Sequence, residues 1–298
     1  MSNIVSSPTT IPYLPTALGV SKTTLLLSNN ITGGPYAWQL TNNCTITSNP
    51  YSQGGTTGNI GTYGLINCIA IQNGAISAAV WLYEPPGGWG VILGFINSDG
   101  TRFTPWVYIG VSNLLYVADC CNPSAVFTPI TPGWHLVVAE EWANSYTGPY
   151  YLALYLDGQF IKQNQVAPYV PQMFGGATNY PITMIGAGNA VNYFPGLNAP
   201  GYATTYYFNG AIALVALYNR VLTTGDVLAI YQGNLVTSGL VAVWYGDDYN
   251  PSNGYWVSRI GSYTGVPVTS SYPPRGCIEW NSAQYSGPVG IWTNWQQC

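Results

Sequence analysis

Charge is what this sequence has least of. Its 298 residues include 6 Lys or Arg and 10 Asp or Glu, 5% in all, where an average soluble protein carries about a quarter. The basic residues (Lys22, Arg102, Lys162, Arg220, Arg259 and Arg275) form no run, so the electrostatic footprint of a nucleic-acid binder is missing and no nucleic-acid partner is expected. Long apolar stretches are missing as well. Segments 75–83 and 211–218 are far shorter than the roughly 18 to 20 residues that span a bilayer, so no membrane insertion is expected. The opening residues carry neither a basic stretch nor an apolar core, and no ordinary secretory signal is read there. His135 is the only histidine and no Cys-x-x-Cys pair occurs, which weighs against a zinc site and leaves His135, mid-strand beside Trp134, as the single candidate base for a nucleophile triad.

What is abundant is apolar and aromatic. Hydrophobic residues make up 47% and aromatics 14%, with 25 Tyr and 11 Trp, enough for a large core and too much for intrinsic disorder. The 35 Gly and 22 Pro point to many short elements joined by turns rather than to long helices. Ten carboxylates leave little to titrate, so stability is expected to change little between about pH 7 and pH 3. Such a surface suits an extracellular or particle exterior, including an acidic one. It equally suits a neutral, adhesive protein that packs against copies of itself, because low charge removes mutual repulsion.

Six cysteines (Cys44, Cys68, Cys120, Cys121, Cys277 and Cys298) suggest disulfides, and the sequence does not choose among the pairings. The favoured pair is Cys277 with Cys298, which would close a Trp-rich terminal segment. Cys44 and Cys68 are further candidates, and buried free thiols are the alternative.

Residues 1–20, with Pro8, Pro12 and Pro15 among Ser, Thr and Tyr, read as an extended arm. From Lys22 onward, strand-like pieces fall at 23–28, 63–72, 76–83, 91–97, 106–111, 114–118, 134–142 and 150–156. They are separated by turn signals that include Asn73-Gly74, Pro85-Pro86-Gly87-Gly88, Asp99-Gly100 and Asp157-Gly158. Within 152–158 the Leu residues at 152, 154 and 156 share one face, while Ala153 and Tyr155 take the other. Segment 211–218 is almost continuously apolar and suits a strand covered on both sides. Residues 223–233 read as a single short helix: Thr223 is the candidate cap, Asp226 lies near its positive end, and Gly233 stops it. Arg220 is placed to pair with Asp226 or to cap this helix.

Four stretches, ISAAVWLY at 76–83, GWHLVV at 133–138, LALYLDG at 152–158 and YFNGAIALVALYNRVL at 207–222, follow one another in a characteristic order. In this order the chain resembles the laminin G-like members of the concanavalin A-like lectin and glucanase superfamily. The last stretch is the most specific, because there a Phe-x-Gly turn enters a strand, an Asn-Arg pair follows, and a short helix with an acidic residue closes the domain. The resemblance implies an all-β fold, a two-sheet antiparallel jelly-roll sandwich over residues 21–236. Residues 237–298 are then a Trp-rich accessory β-element. Five of the 11 Trp lie in it, and it is too short to bury them alone. They call for a partner surface, with Trp280, Trp292 and Trp295 as assembly candidates.

The glucanase branch of that superfamily works with carboxylates alternating along one strand, typically Glu-x-Asp-x-Glu, and no such motif occurs here. Glu140-Glu141 and Asp247-Asp248 are adjacent, so their side chains point to opposite faces of a strand and cannot flank one glycosidic bond. No catalytic residue is assigned, and His135 is read as a core or interface residue. No cofactor is expected. Asp99, Asp119 and Asp157 near strand ends offer a weak calcium reading, with solvated turn carboxylates favoured. Carbohydrate recognition is the more plausible chemistry, because sugars present flat apolar faces to Trp and Tyr. Trp89 and Trp106, each at a strand end among turn residues, are the candidates for exposed stacking, with Asp99 as a polar neighbour. Either Trp could instead be a packing anchor. Asn30-Ile31-Thr32 and Asn43-Cys44-Thr45 match the glycosylation sequon, which marks Asn30 and Asn43.

These features favour a non-enzymatic structural and recognition protein on a virion surface, a capsid, spike or fibre subunit. Its partners would be copies of itself, other virion proteins and a host-surface glycan. In style the sequence looks like structural proteins of viruses that infect thermophilic, acidophilic archaea. A secreted cellular glycan-binding module or surface-filament subunit, extracellular or on the cell surface, is the alternative; an extracellular glycosidase ranks last.

Overall fold

Segment 75–84 illustrates how the sequence builds the fold. Its residues alternate between two apolar sets, and every one of them is buried in a single strand, Ala75–Glu84. Such a strand needs cover on both faces, so it must lie in the middle of a layered structure. The computed structural model describes residues 26–27, 38–41, 75–84, 86–96, 103–110, 112–118, 125–143, 149–166, 182–189, 205–208, 211–245, 249–250, 255–261, 264–267, 278–279 and 296–297.

In chain order the strands begin with β1 (Leu26–Leu27), β2 (Trp38–Thr41), β3 (Ala75–Glu84), β4 (Gly90–Ile96) and β5 (Phe103–Gly110). There follow β6 (Leu114–Val117), β7 (Val126–Pro129), β8 (Gly133–Ala143), β9 (Tyr150–Leu156) and β10 (Gln159–Val166). After β11 (Ile182–Ile185), β12 (Ala187–Asn189), β13 (Thr205–Tyr207) and β14 (Ala211–Tyr218) comes the helix α1 (Thr224–Tyr231). The chain ends with β15 (Leu240–Tyr245), β16 (Tyr249–Asn250), β17 (Tyr255–Val257), β18 (Thr264–Pro267), β19 (Ile278–Glu279) and β20 (Gln296–Gln297).

Two sheets result. The first has seven strands in the order β1-β14-β3-β8-β9-β10, with β15 also paired to β14; the second has eleven, β16-β17-β18-β2-β11-β4-β5-β6-β7, with β12 and β13 attached. Pairing is antiparallel except where Tyr207 of β13 meets Val91 of β4. The expected all-β sandwich of two antiparallel sheets, a jelly roll with one short helix, is the fold.

Between the sheets lies one core, with Ile76, Val80, Leu82, Val137, Leu152, Leu154 and Val215 facing Ile92, Trp106, Ile109, Leu115 and Val126. The far face of the seven-stranded sheet carries a second core of Trp81, Leu136, Val138, Tyr155, Leu214 and Tyr218 under α1. The helix contributes Val227 and Ile230, both fully buried, each worth about 1.5–3 kcal/mol of apolar burial. Tyr231 stacks on Trp81, with ring centroids 5.9 Å apart. The alternation read in 152–158 and the double-sided burial read in 211–218 both follow from this three-layer arrangement.

Local chemistry fixes the ends. Asp157 (φ 52°) and Gly158 (φ 82°) both sit in left-handed backbone, as the tight β9–β10 hairpin requires. Thr223 caps α1 in a capping box with Asp226. The described part of 237–298 is built into the sandwich: β15 adds to β14, and β18 pairs with β2.

Candidate functional site

At one end of the sandwich the chain leaves the first sheet at Glu84 and enters the second at Gly90. The described turn between them, residues 86–89, is shaped by glycine. Gly87 has φ +71° and Gly90 φ +117°, conformations that other L-residues resist. Gly88 presents its open side to the Glu84 carboxylate, which a Cβ there would overlap unless the glutamate side chain shifted. The turn therefore rests directly on a carboxyl group that is 1% exposed, and neither Glu84 oxygen has a hydrogen-bond partner among the described residues. Burial alone raises the Glu84 pKa from 4.5 to about 8.

Trp89 lies in this turn and is 38% exposed. Beside the turn in sequence, Tyr83 and Trp134 face each other across β3 and β8, with ring centroids 5.5 Å apart and both rings largely buried. Trp81, Trp106 and Trp244 are fully buried. Trp89 is thus the exposed indole of this turn, while Trp81, Trp106 and Trp134 are buried.

The expected exposure of Trp106 is not met: it is 0% exposed and belongs to the inter-sheet core. The reason is Pro105, which the sequence presents as a breaker but which lies inside β5 opposite Gly94. The register shifts between Leu93 and Gly94 there, the kind of irregularity that admits proline into a sheet. Trp106 is consequently a mid-strand residue. Asp99, Asp119, Asn30, Asn43, Trp280, Trp292, Trp295 and all six cysteines lie outside the described residues, as do the strand expected at 63–72 and the arm at 1–20.

The remaining carboxylates serve the fold. Asp157 accepts from the Leu136 backbone N–H at 3.0 Å and meets His135 Nδ1 at 2.8 Å, while His135 Nε2 faces the Thr131 carbonyl at 2.8 Å. His135 is thereby a buried pin between β8 and the β9–β10 turn. Asp157 spends both oxygens in the same contacts, and no group of three or more metal-ligating side chains occurs among the described residues. Glu140 Oε1 accepts from Ser77 Oγ at 3.0 Å and from the Leu222 N–H at 2.7 Å, fastening the segment before α1 to the sheet. Burial raises the Glu140 pKa to about 7, against the pull of these hydrogen bonds. Arg220 donates to Asp226 Oδ2 at 2.8 Å, the pairing its spacing suggested. Glu140 and Glu141 are both buried, so neither presents a carboxylate to solvent.

The expected exposure of Trp89 is met, whereas the burial of Glu84 beneath the turn was not anticipated. The available signal was a carboxylate closing an otherwise apolar strand and followed at once by Pro85-Pro86-Gly87-Gly88, a combination that places an acid under backbone without side chains.

No family model matches the chain, and no curated protein matches it. Among solved structures it is similar to a protein from Bacteroides ovatus described as carbohydrate-binding, at 12% identity and TM-score 0.43 over 82% of this chain and 57% of that one. It is also similar to the heptameric SAP-like pentraxin of Limulus polyphemus, at 12% identity and TM-score 0.39 over 83% of this chain and 97% of that one. Domains LG4-5 of the mouse laminin alpha1 chain match at 12% identity and TM-score 0.36 over 74% and 48%. This chain thus spans little more than half the length of the first of these proteins. At these scores the likenesses assign it no ligand and no activity. No described helix is long and apolar enough to cross a membrane.

Proposed function

We propose that this chain is a non-enzymatic recognition and assembly module of an extracellular surface, with a virion coat, spike or fibre as the leading setting. The observation that carries the recognition half is the Trp89 turn. An indole held out on a glycine-built turn offers a flat apolar face, and the C–H faces of a sugar ring stack on such a surface. The near-absence of charge supports the assembly half, because copies of the chain and other coat proteins approach it with little repulsion. A secreted glycan-binding module shares the same turn and differs only in where the protein resides. Archaeal-virus origin, glycosylation at Asn30 and Asn43, and a Cys277–Cys298 crosslink belong to the same proposal.

A glycan array probed with the full chain and with Trp89→Ala tests the recognition half. The expected outcome is selective binding by the wild type and a loss of about tenfold in the variant, the scale of one lost aromatic contact. Absence of binding to any glycan, or binding untouched by Trp89→Ala, would refute it. Detection of the chain in purified particles by mass spectrometry separates the virion setting from the secreted one.

A further inference from the structure

Sheet edges are where β-proteins pair with other chains, and native edges are normally blocked by brevity, proline, or charges that stand against a partner. β10 terminates the seven-stranded sheet and, among the described residues, pairs only with β9. It is 8 residues long, contains no proline, and has one charge, Lys162. The side chains of Gln159, Phe160, Lys162, Gln163 and Gln165 are exposed, Phe160 by 50%. On the same flank the second sheet ends in β7, which has 4 residues and leaves Phe127 47% exposed. The two edges are tied together, since Asn164 Nδ2 donates to the Ala125 carbonyl at 3.1 Å and the Lys162 ammonium lies 5.8 Å from the centre of the Phe127 ring. The one charge that could guard the edge is therefore drawn aside onto the neighbouring sheet.

We propose that β10 is the self-association edge of this chain, and that two copies pair β10 to β10, antiparallel, across a two-fold axis to form one continuous sheet. This deepens the assembly half of the function above and rests on it. The occupant is a second copy because the strand is complementary to itself. The bulge between Phe160 and Lys162 leaves Lys162–Val166 as the regular ladder, and an antiparallel pairing centred on Asn164 sets Gln163 opposite Gln165 of the second copy, twice. In that register Lys162 lies across from Val166, so no like charges meet. An isologous contact of this kind closes on itself as a dimer.

The register makes the test specific. The full chain is compared by sedimentation equilibrium from about 1 to 100 μM with two double variants, and circular dichroism checks that all three share one fold. In Gln163→Lys/Gln165→Lys, lysine meets lysine at both pairs. In Gln163→Lys/Gln165→Glu, lysine meets glutamate at both. The expected result is a wild-type dimer, association weakened about tenfold in the lysine–lysine variant, and recovery in the lysine–glutamate variant. Association of the lysine–lysine variant equal to wild type overturns the β10 assignment and leaves assembly to another surface or to another extended segment. A lysine–glutamate variant no better than the lysine–lysine one overturns the register. A wild type that stays monomeric throughout overturns both this inference and the assembly reading, while the glycan array continues to judge the Trp89 turn on its own.

Discussion

Glu84 has a pKa near 8 in the fold and an ordinary value of 4.5 outside it. Between these values the folded chain holds a proton that the unfolded chain has lost. Its stabilising contribution is therefore complete below about pH 4.5 and disappears as the pH rises through 8. Glu140, raised to about 7, acts in the same sense. The protein is expected to melt at a higher temperature at pH 5 than at pH 8.5. Glu84→Gln, which has no charge to bury, should raise the melting temperature by roughly 5 °C or more at pH 8.5 and leave it nearly unchanged at pH 4.5. A variant that melts with the wild type at both pH values would show that Glu84 is not held protonated beneath Gly88. At this scale the sequence was uneven. Trp89 was legible because it sits among glycines, whereas Trp106 carried a similar signature and proved to be core. A proline inside a sheet irregularity looks the same in sequence as a proline in a loop.

Among the elements, the helix was the most legible, because its signals are local. Thr223 accepts from the Asp226 N–H at 3.1 Å, and Asp226 Oδ2 accepts in return from the Thr223 N–H at 2.8 Å. Arg220 bonds the same carboxylate and also donates from Nε to the Ser238 carbonyl at 2.9 Å. The clamp thus joins both ends of the helical excursion that roofs the second core. Chiefly through the Arg220 hydrogen bond, the Asp226 pKa is held at about 2, below its ordinary 3.8. Its contribution is present above pH 3.8 and is lost as the pH falls through 2. Asp226→Asn should cost about 1–2 kcal/mol at neutral pH in chemical denaturation, and the gap from wild type should close on acidification to pH 2. A gap that persists there would mean that the charge is not what the clamp uses. β10 and β7 went unread for a physical reason. An edge strand faces water along one side, so Gln-Phe-Ile-Lys-Gln-Asn-Gln-Val lacks the apolar alternation that marks an interior strand such as β3.

At the scale of the whole molecule, composition and element order were enough for the sandwich, because a chain this rich in short apolar segments and glycine has few other ways to bury them. Long-range pairing was beyond them. The attachment of β15 to β14, and of β18 to β2, depends on contacts between distant parts of the chain that no local pattern announces. The expectation of near-constant stability from pH 7 to pH 3 rested on how few carboxylates there are. Burial of Glu84 and Glu140 adds a direction, toward greater stability in mild acid. The proposed function requires that a surface with so little charge touch other molecules through shape and hydrogen bonding rather than through fields, with Trp89 the exposed indole among the described residues. Hydroxyl-radical footprinting of the full chain, with and without a glycan selected on the array and read out by mass spectrometry, tests that account most directly. Trp89 should be oxidised readily and protected when the glycan is bound, while Trp81, Trp106 and Trp244 stay inert in both states. Oxidation of Trp106 at the rate of Trp89, or a bound glycan that leaves Trp89 unprotected, would contradict it.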